Sequence, residues 1–433
     1  MGSFYHSVTL DKEKCKGCIN CIKRCPTEAI RVRNKKAVII KERCIDCGEC
    51  IRVCPHHAKK PLFDGLDVMD NYEYTIALPA PALYAQFNNL NDIDILLNAL
   101  ISVGFDDVFE VGKAAEIVSE ATRKMLAKEN MKLPVMSSAC PVITRLIRVR
   151  FPGLVDNVLS LNAPVELAAR LAKEKAMKKT GLPKEKIGAI FISPCPAKVT
   201  AAKMPLGTEK SEISAVVAIS DLYPKILSHM KDVVEINDIS EVGKIGIFWG
   251  ASSGESAALL NENYLAADGI ENCINVLEDL EDEKLGGNLD FIELNACPGG
   301  CVGGVLTVEN PYIAKTKLKR LRKYMPISLN HLENTPKEIY WDKELEYEPI
   351  LNLDDDITIA LKKLNQIEEL EQSFPGLDCG SCGAPSCKAL AEDIVRGFAS
   401  PSDCVFKFKE NMSSIINELN TSFSIEHDQA ESE

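Results

Sequence analysis

The sequence predicts an α/β fold, α+β overall, with a central body of mainly parallel sheets and a small cysteine-rich module at each end. Three observations predict it. Short apolar runs alternate with segments of helical period between about residues 70 and 345. Sixteen of the 17 cysteines fall into three sets, at the start, in the middle and at the end of the chain. The most constrained stretch, Phe291-Ile-Glu-Leu-Asn-Ala-Cys-Pro-Gly-Gly-Cys-Val-Gly-Gly304, runs from a strand-like apolar segment into two cysteines among glycines, where a bulky group can lie against the backbone.

The bulk properties narrow the classes. At 433 residues there is room for two to four domains, and 46% apolar with 26% charged residues is ordinary for a globular chain. A net charge of −13 argues against a nucleic-acid partner and favours partners with basic docking patches. The start, Met1-Gly-Ser-Phe-Tyr-His, has no apolar segment of a signal peptide, and no stretch approaches the roughly 20 apolar residues of a membrane span. Cysteines grouped as CxxC in a long chain read as metal ligands in a reducing cytoplasm, not as a secreted disulfide scaffold.

Residues 1–62 carry one motif twice: Cys15-Lys-Gly-Cys18-Ile-Asn-Cys21-Ile-Lys-Arg-Cys25-Pro26 and Cys44-Ile-Asp-Cys47-Gly-Glu-Cys50-Ile-Arg-Val-Cys54-Pro55. This is the bacterial ferredoxin run, in which three closely spaced cysteines wrap one cubane and the fourth crosses to the other. Cys15, Cys18, Cys21 and Cys54 are therefore assigned to one 4Fe–4S cluster, and Cys44, Cys47, Cys50 and Cys25 to a second. Zinc also accepts CxxC pairs, but eight cysteines in duplicate with both prolines disfavour it. His56 and His57 read as exposed loop residues.

Residues 63–345 form the expected α/β body. Strands are predicted at Glu73–Leu78, within Phe105–Val111, at Leu133–Met136, Ile187–Ile192, Lys244–Trp249 and Phe291–Leu294, and helices at Asn88–Val103, over 113–128 and from Pro164 onward. Three of these strands end near cysteines: Cys140 in Ser137-Ser-Ala-Cys-Pro141, Cys195 in Ser193-Pro-Cys-Pro-Ala-Lys198, and the Cys297/Cys301 loop. Ligands gather at the carboxyl ends of strands in open α/β sheets, so four cysteines converging on one iron–sulfur site is the central expectation. The basic run Lys315–Lys323 reads as a solvated helix face.

An amphipathic connecting helix is expected within 346–374, followed at 375–433 by Cys379-Gly-Ser-Cys382-Gly-Ala-Pro-Ser-Cys387 and Cys404. These four cysteines predict another 4Fe–4S cluster, with zinc as the alternative. The polar tail from about 411 is expected to be mobile. Cys273, outside every group, reads as a small core residue.

On these motifs the chain resembles the FeFe hydrogenases over about residues 1–345. The resemblance implies a catalytic body of two α/β lobes behind a ferredoxin-like relay domain. It also implies an H-cluster: a 4Fe–4S cubane on Cys140, Cys195, Cys297 and Cys301, bridged through Cys301 to a two-iron subsite with CO, cyanide and azadithiolate. Lys198 matches the lysine that binds a cyanide ligand, and Ala80 and Pro81 match residues beside the two-iron subsite. Two modifications of the pattern concern proton transfer. Ala139 stands where prototypical members carry a proton-shuttling cysteine, and it has no titratable group. Glu120 matches one relay glutamate, whereas Arg123 replaces a second. Ser193 and Asn295 replace two methionines, and Ala82 replaces a serine.

These departures resemble the sensory FeFe hydrogenases, and the C-terminal module fits a sensory subclass. The implied function is slow, reversible H2 oxidation and proton reduction used to sense H2 or redox state. The implied partners are a redox or signalling protein and the maturation enzymes of the two-iron site. The alternatives are a metabolic bidirectional hydrogenase and a non-catalytic iron–sulfur assembly or carrier protein.

Overall fold

The computed structural model describes residues 6–127, 131–231, 236–285, 289–331 and 336–430, with side chains up to Leu419 in the last helix. The chain divides into two compact units. The larger comprises Met1–Thr9, Ile45–Gly48 and Lys60–Glu348; the smaller comprises Leu10–Cys44, Glu49–Lys59 and Pro349–Glu433.

In the smaller unit, β1 (Ile30–Arg33) and β2 (Lys36–Ile39) form an antiparallel hairpin with Arg31 opposite Val38. Its turn residues Asn34 and Lys35 both take positive φ, the geometry of a tight primed turn. Helix Ile357–Ser373 begins at Asp356, whose carboxylate accepts the Thr358 and Ile359 N–H groups at 2.7 and 3.2 Å. It packs on helix Cys387–Val395, capped in turn by Ser386, around Ile367, Phe374 and Leu390. The tail from about 411 lies in the single helix Val405–Ala430.

The larger unit carries strands β3 (Tyr74–Pro79), β4 (Asp107–Val108), β5 (Val135–Met136), β6 (Ile187–Ser193), β7 (Ala215–Ala218), β8 (Tyr264–Asp268) and β9 (Phe291–Asn295). One sheet has the order β4-β3-β6-β7 and another the order β8-β9-β5, and every pairing in both is parallel. Each residue of β6 is buried, as expected for a strand covered by helices on both faces. Parallel strands joined through helices confirm the predicted α/β body.

One element is corrected. Lys244–Trp249, expected as a strand, forms helix Lys244–Phe248. A short apolar run has no period that separates a buried strand from a buried helix. Here the Glu116 side chain decides, accepting Gly243 N–H at 2.6 Å and Gly246 N–H at 3.4 Å. Strands β7 and β8 were not anticipated, because AVVA and YLAAD are too short to show alternation. The helix expected from Asn88 starts at Ile93, where Asp92 accepts the Asp94 N–H at 2.9 Å. The other two expected helices fall at Val111–Leu126 and Pro164–Thr180, the latter with its proline in the first turn.

Candidate metal centre

The two sheets deliver cysteines from separate directions. Strand β5 leads to Cys140, which caps helix Pro141–Arg150, and β6 leads to Cys195, which caps helix Pro196–Lys203. Both helices begin with proline, whose missing N–H would have been unpaired there anyway. Both cysteines thus sit at helix N-termini. Strand β9 runs beside β5 in register, Phe291 with Val135 and Ile292 with Met136, and leads to Cys297.

The loop after β9 is pinned on two sides. Val302 N–H donates to Gly250 O at 3.0 Å, Ser252 N–H to Gly299 O at 2.8 Å, and Leu306 N–H to Pro194 O at 3.0 Å. Two glycines make this possible. Gly300 has φ +91°, and a Cβ there would strike the Ser252 amide; a Cβ on Gly304 would strike the Pro194 carbonyl. The loop therefore carries Cys301 toward the Cys195 turn.

Lys198 lies among the four thiols. Its Nζ donates to Ala139 O at 3.4 Å. Burial lowers its basicity, yet the charges of Cys301, Cys195, Cys140 and Cys297 outweigh that and raise its pKa. Burial pushes the Cys195 thiol up to about 12, and burial also raises Cys301, with Lys198 opposing in both cases. Thiols this reluctant to ionise need a metal in place of their protons. A convergent donor set of four sulfurs fits a cubane, and an ammonium held by those sulfurs beside a cavity fits an anionic ligand.

That cavity is lined by Ala80, Pro81, Ala82, Ala139, Lys198 and Asn295, among others. Ser193 is fully buried but points elsewhere: its Oγ donates to Cys195 O at 2.9 Å and accepts the Cys195 N–H at 3.2 Å, shaping the ligand's turn. Glu120 and Arg123 are not among the lining residues. Glu120 pairs with Lys124 at 2.7 Å and His331 at 3.5 Å, and Arg123 donates to Ala258 O at 2.5 Å. Cys273 is fully buried, its thiol 3.3 Å from Asn295 O, as a core residue should be.

Two lining residues were missed by sequence reasoning. Glu255 and Glu293 are buried to 6% and 2% exposure. The Ser137 hydroxyl donates to Glu255 Oε2 at 2.6 Å. Glu293 accepts from Ser253 N–H at 2.9 Å, Ser256 N–H at 2.8 Å and Asn295 Nδ2 at 2.7 Å. Burial, then the charge of Glu293, pushes Glu255 up to about 8, so it holds a proton near neutrality. The available signal was Glu293 itself, a carboxylate inside an apolar strand, which must be paired or protonated when buried.

In the smaller unit, Cys15, Cys18, Cys21 and Cys54 line one small cavity, joining both copies of the motif as the crossover spacing requires. Burial raises Cys21 to about 11, the charge of Lys59 opposing it. The copies match in detail. Cys25 accepts the Ala29 N–H at 3.2 Å and Cys54 accepts the Ala58 N–H at 3.3 Å, and Cys21 and Cys50 occupy equivalent short helices, Asn20–Lys23 and Glu49–Arg52. Cys44 and Cys47 keep the duplicate spacing. Cys382, Cys387 and Cys404 join one packed cluster, and the charges of Cys379 and Cys404 both act on Cys382.

A half-buried set of four cysteines after the ends of parallel strands, with paired CxxC motifs elsewhere, defines an iron–sulfur protein. The model of the iron-only hydrogenase large subunit, C-terminal domain, matches residues 73–241 and 251–305, more than half of the chain. The chain belongs to that family. A 4Fe-4S dicluster domain matches residues 7–55, and a model for a proposed Fe-S cluster matches 374–406. Among relatives, iron hydrogenase 1 of Clostridium pasteurianum is 26% identical over 73% of this chain and 68% of its own. The periplasmic Fe hydrogenase large subunit of Nitratidesulfovibrio vulgaris is 26% identical over 69% of this chain and 86% of its own. The solved FeFe-hydrogenase HydA1 of Chlamydomonas reinhardtii superposes with a TM-score of 0.48 at 15% identity, covering 66% of this chain and 98% of that one. Among the described residues, no helix is long and apolar enough to cross a membrane.

Proposed function

We propose that the chain is a sensory FeFe hydrogenase: it interconverts H2 with protons and electrons slowly and reports H2 or redox state to a protein partner. The observation that carries this is the cavity itself, where Cys140, Cys301 and Lys198 meet, Lys198 also feeling the charges of Cys195 and Cys297, while position 139 has no titratable side chain. Cys140, Cys195, Cys297 and Cys301 would hold a cubane, with Cys301 as the bridge to a two-iron subsite. Lys198 would hold that subsite through a cyanide ligand, with Ala80, Pro81 and Ala82 packed beside it. When bound, the subsite supplies the metal chemistry of H2 cleavage.

The remaining work belongs to the chain. Glu255 carries the proton-handling role that Ala139 cannot, since it lines the cavity and retains its proton near neutrality. Glu293, fixed by three donors, sets that proton affinity through its charge. Asn295 spends its amide on Glu293, so the residue at a methionine position in prototypical members is tied to the carboxylate pair. Ser193 tunes the site through the Cys195 backbone. The ferredoxin half relays electrons, and the grouped cysteines act as cluster ligands in a reducing cytoplasm.

The test is turnover with a soluble dye at saturating H2 on matured protein. A slow but measurable rate supports the sensory reading. Brisk turnover would support the metabolic one, and no turnover in a fully loaded protein would leave the carrier reading.

A further inference from the structure

The C-terminal cysteine loop lies against the ferredoxin half of its own unit, and the contact is built from several independent parts. Gly380, between Cys379 and Cys382, has φ +75°, and a Cβ there would come within 3.4 Å of both Ile19 and Ile22 and 3.5 Å of Lys23. Ile19 and Ile22 are the chain neighbours of Cys18 and Cys21. Lys23 Nζ donates to the carbonyls of Asp378 and, at 2.7 Å, Pro385, on either side of the loop. Hairpin strand β1 continues the seam: Val32 N–H donates to Gly383 O at 2.8 Å and Arg33 to Cys382 O at 3.3 Å.

Charged groups lock the contact. Asp393 receives Arg31 at 2.7 and 3.1 Å and Arg33 at 2.5 Å, and Arg43 pairs with Glu392. Arg31 and Asp393 are buried to 5% and 7% side-chain exposure. Charges are desolvated in this way only where the geometry is held firmly. Three arginines of one motif-bearing segment therefore face two adjacent carboxylates of the helix that begins at Cys387.

We propose that the C-terminal cysteine site is a redox centre wired to the ferredoxin half, exchanging electrons with the cluster of Cys15, Cys18, Cys21 and Cys54. One electron leaves one cubane, which is oxidised, and reduces the other; no bond is made or broken and no proton is required. Electron exchange falls steeply with separation, and here Gly380, next to Cys379, has room for no more than a methyl group before Ile19 and Ile22, the neighbours of Cys18 and Cys21. The buried ion pairs hold that spacing. The C-terminal site is then the port through which the relay reaches a partner. This inference rests on the iron–sulfur modules, not on the H2 chemistry, and stands or falls separately from it.

The test is electron paramagnetic resonance of the full chain, cubanes loaded, reduced with dithionite and without the two-iron subsite. Two variants are compared with wild type at equal protein: Cys379→Ser with Cys382→Ser, which deletes the C-terminal cluster, and Asp393→Asn with Glu392→Gln, which neutralises its anchors. In wild type, reduced ferredoxin-type signals should show enhanced relaxation and broadening from the neighbouring spin. Both effects should diminish in either variant. Simple loss of one independent signal, with the relaxation of the others unchanged, would overturn the proposal. Metal analysis of wild type is a second check: zinc at the C-terminal site would overturn it, and iron in its place supports it.

Discussion

Ser137 joins position 139 to a buried acid: its Oγ donates to Glu255 Oε2 at 2.6 Å and accepts the Ala139 N–H at 3.2 Å. The position that lacks a titratable side chain is thus one hydrogen bond from a hydroxyl and two from a carboxyl group that holds its proton. If that carboxyl group handles protons, Glu255→Gln lowers H2 turnover by roughly 10²-fold or more, while Glu255→Asp retains part of it. Dye-linked H2 oxidation at matched cubane content checks this. A rate equal to wild type in Glu255→Gln would remove the assignment.

The same residue makes stability depend on pH. Its carboxyl is raised from 4.5 to about 8, first by burial and then by Glu293. Between those values the folded chain keeps a proton that the unfolded chain has released, so stability falls as pH rises through that window. Glu255→Gln should flatten this loss. Melting temperatures from about pH 5 to about pH 9, on protein lacking the two-iron subsite, measure it, and parallel slopes for both proteins would count against the raised value.

Lys198 keeps its charge because four sulfurs surround it. Lys198→Met preserves length and removes the charge. It should leave cubane iron unchanged while a loaded two-iron complex is retained several-fold less well, by about 1 kcal/mol or more. Iron analysis after gel filtration distinguishes the two sites. Full retention would mean that the lysine serves only the thiols.

Asp393 takes two arginines at a buried position. Asp393→Ala leaves Arg31 buried without its partner and should destabilise the smaller unit by about 3–5 kcal/mol. Limited proteolysis should then cut near the C-terminal module before the larger unit. Unchanged resistance would show that the ion pairs are dispensable.

Much of this was legible because ligand spacing is a covalent constraint. The ferredoxin crossover, Cys15 to Cys21 with Cys54, is read from motif spacing, and those four cysteines line one cavity. Cys140, Cys195 and Cys301 were legible for a similar reason, each lying just past an apolar strand. Lys244–Phe248 was misread because a five-residue apolar run carries no period, and the deciding partner, Glu116, is 128 residues away from Lys244 in sequence. Glu255 was invisible because its importance comes from Glu293 and Ser137, distant in sequence and adjacent only after folding. The docking of Asp393 on Arg31 and Arg33 was hidden likewise, since a charged helix face ordinarily reads as solvated.

Infrared spectroscopy of protein loaded with a synthetic two-iron cofactor, with and without H2, tests the central claim most directly. The account predicts sharp CO and cyanide bands that shift under H2, with the cyanide bands altered in Lys198→Met. Absence of such bands in protein whose cubanes are intact would contradict it.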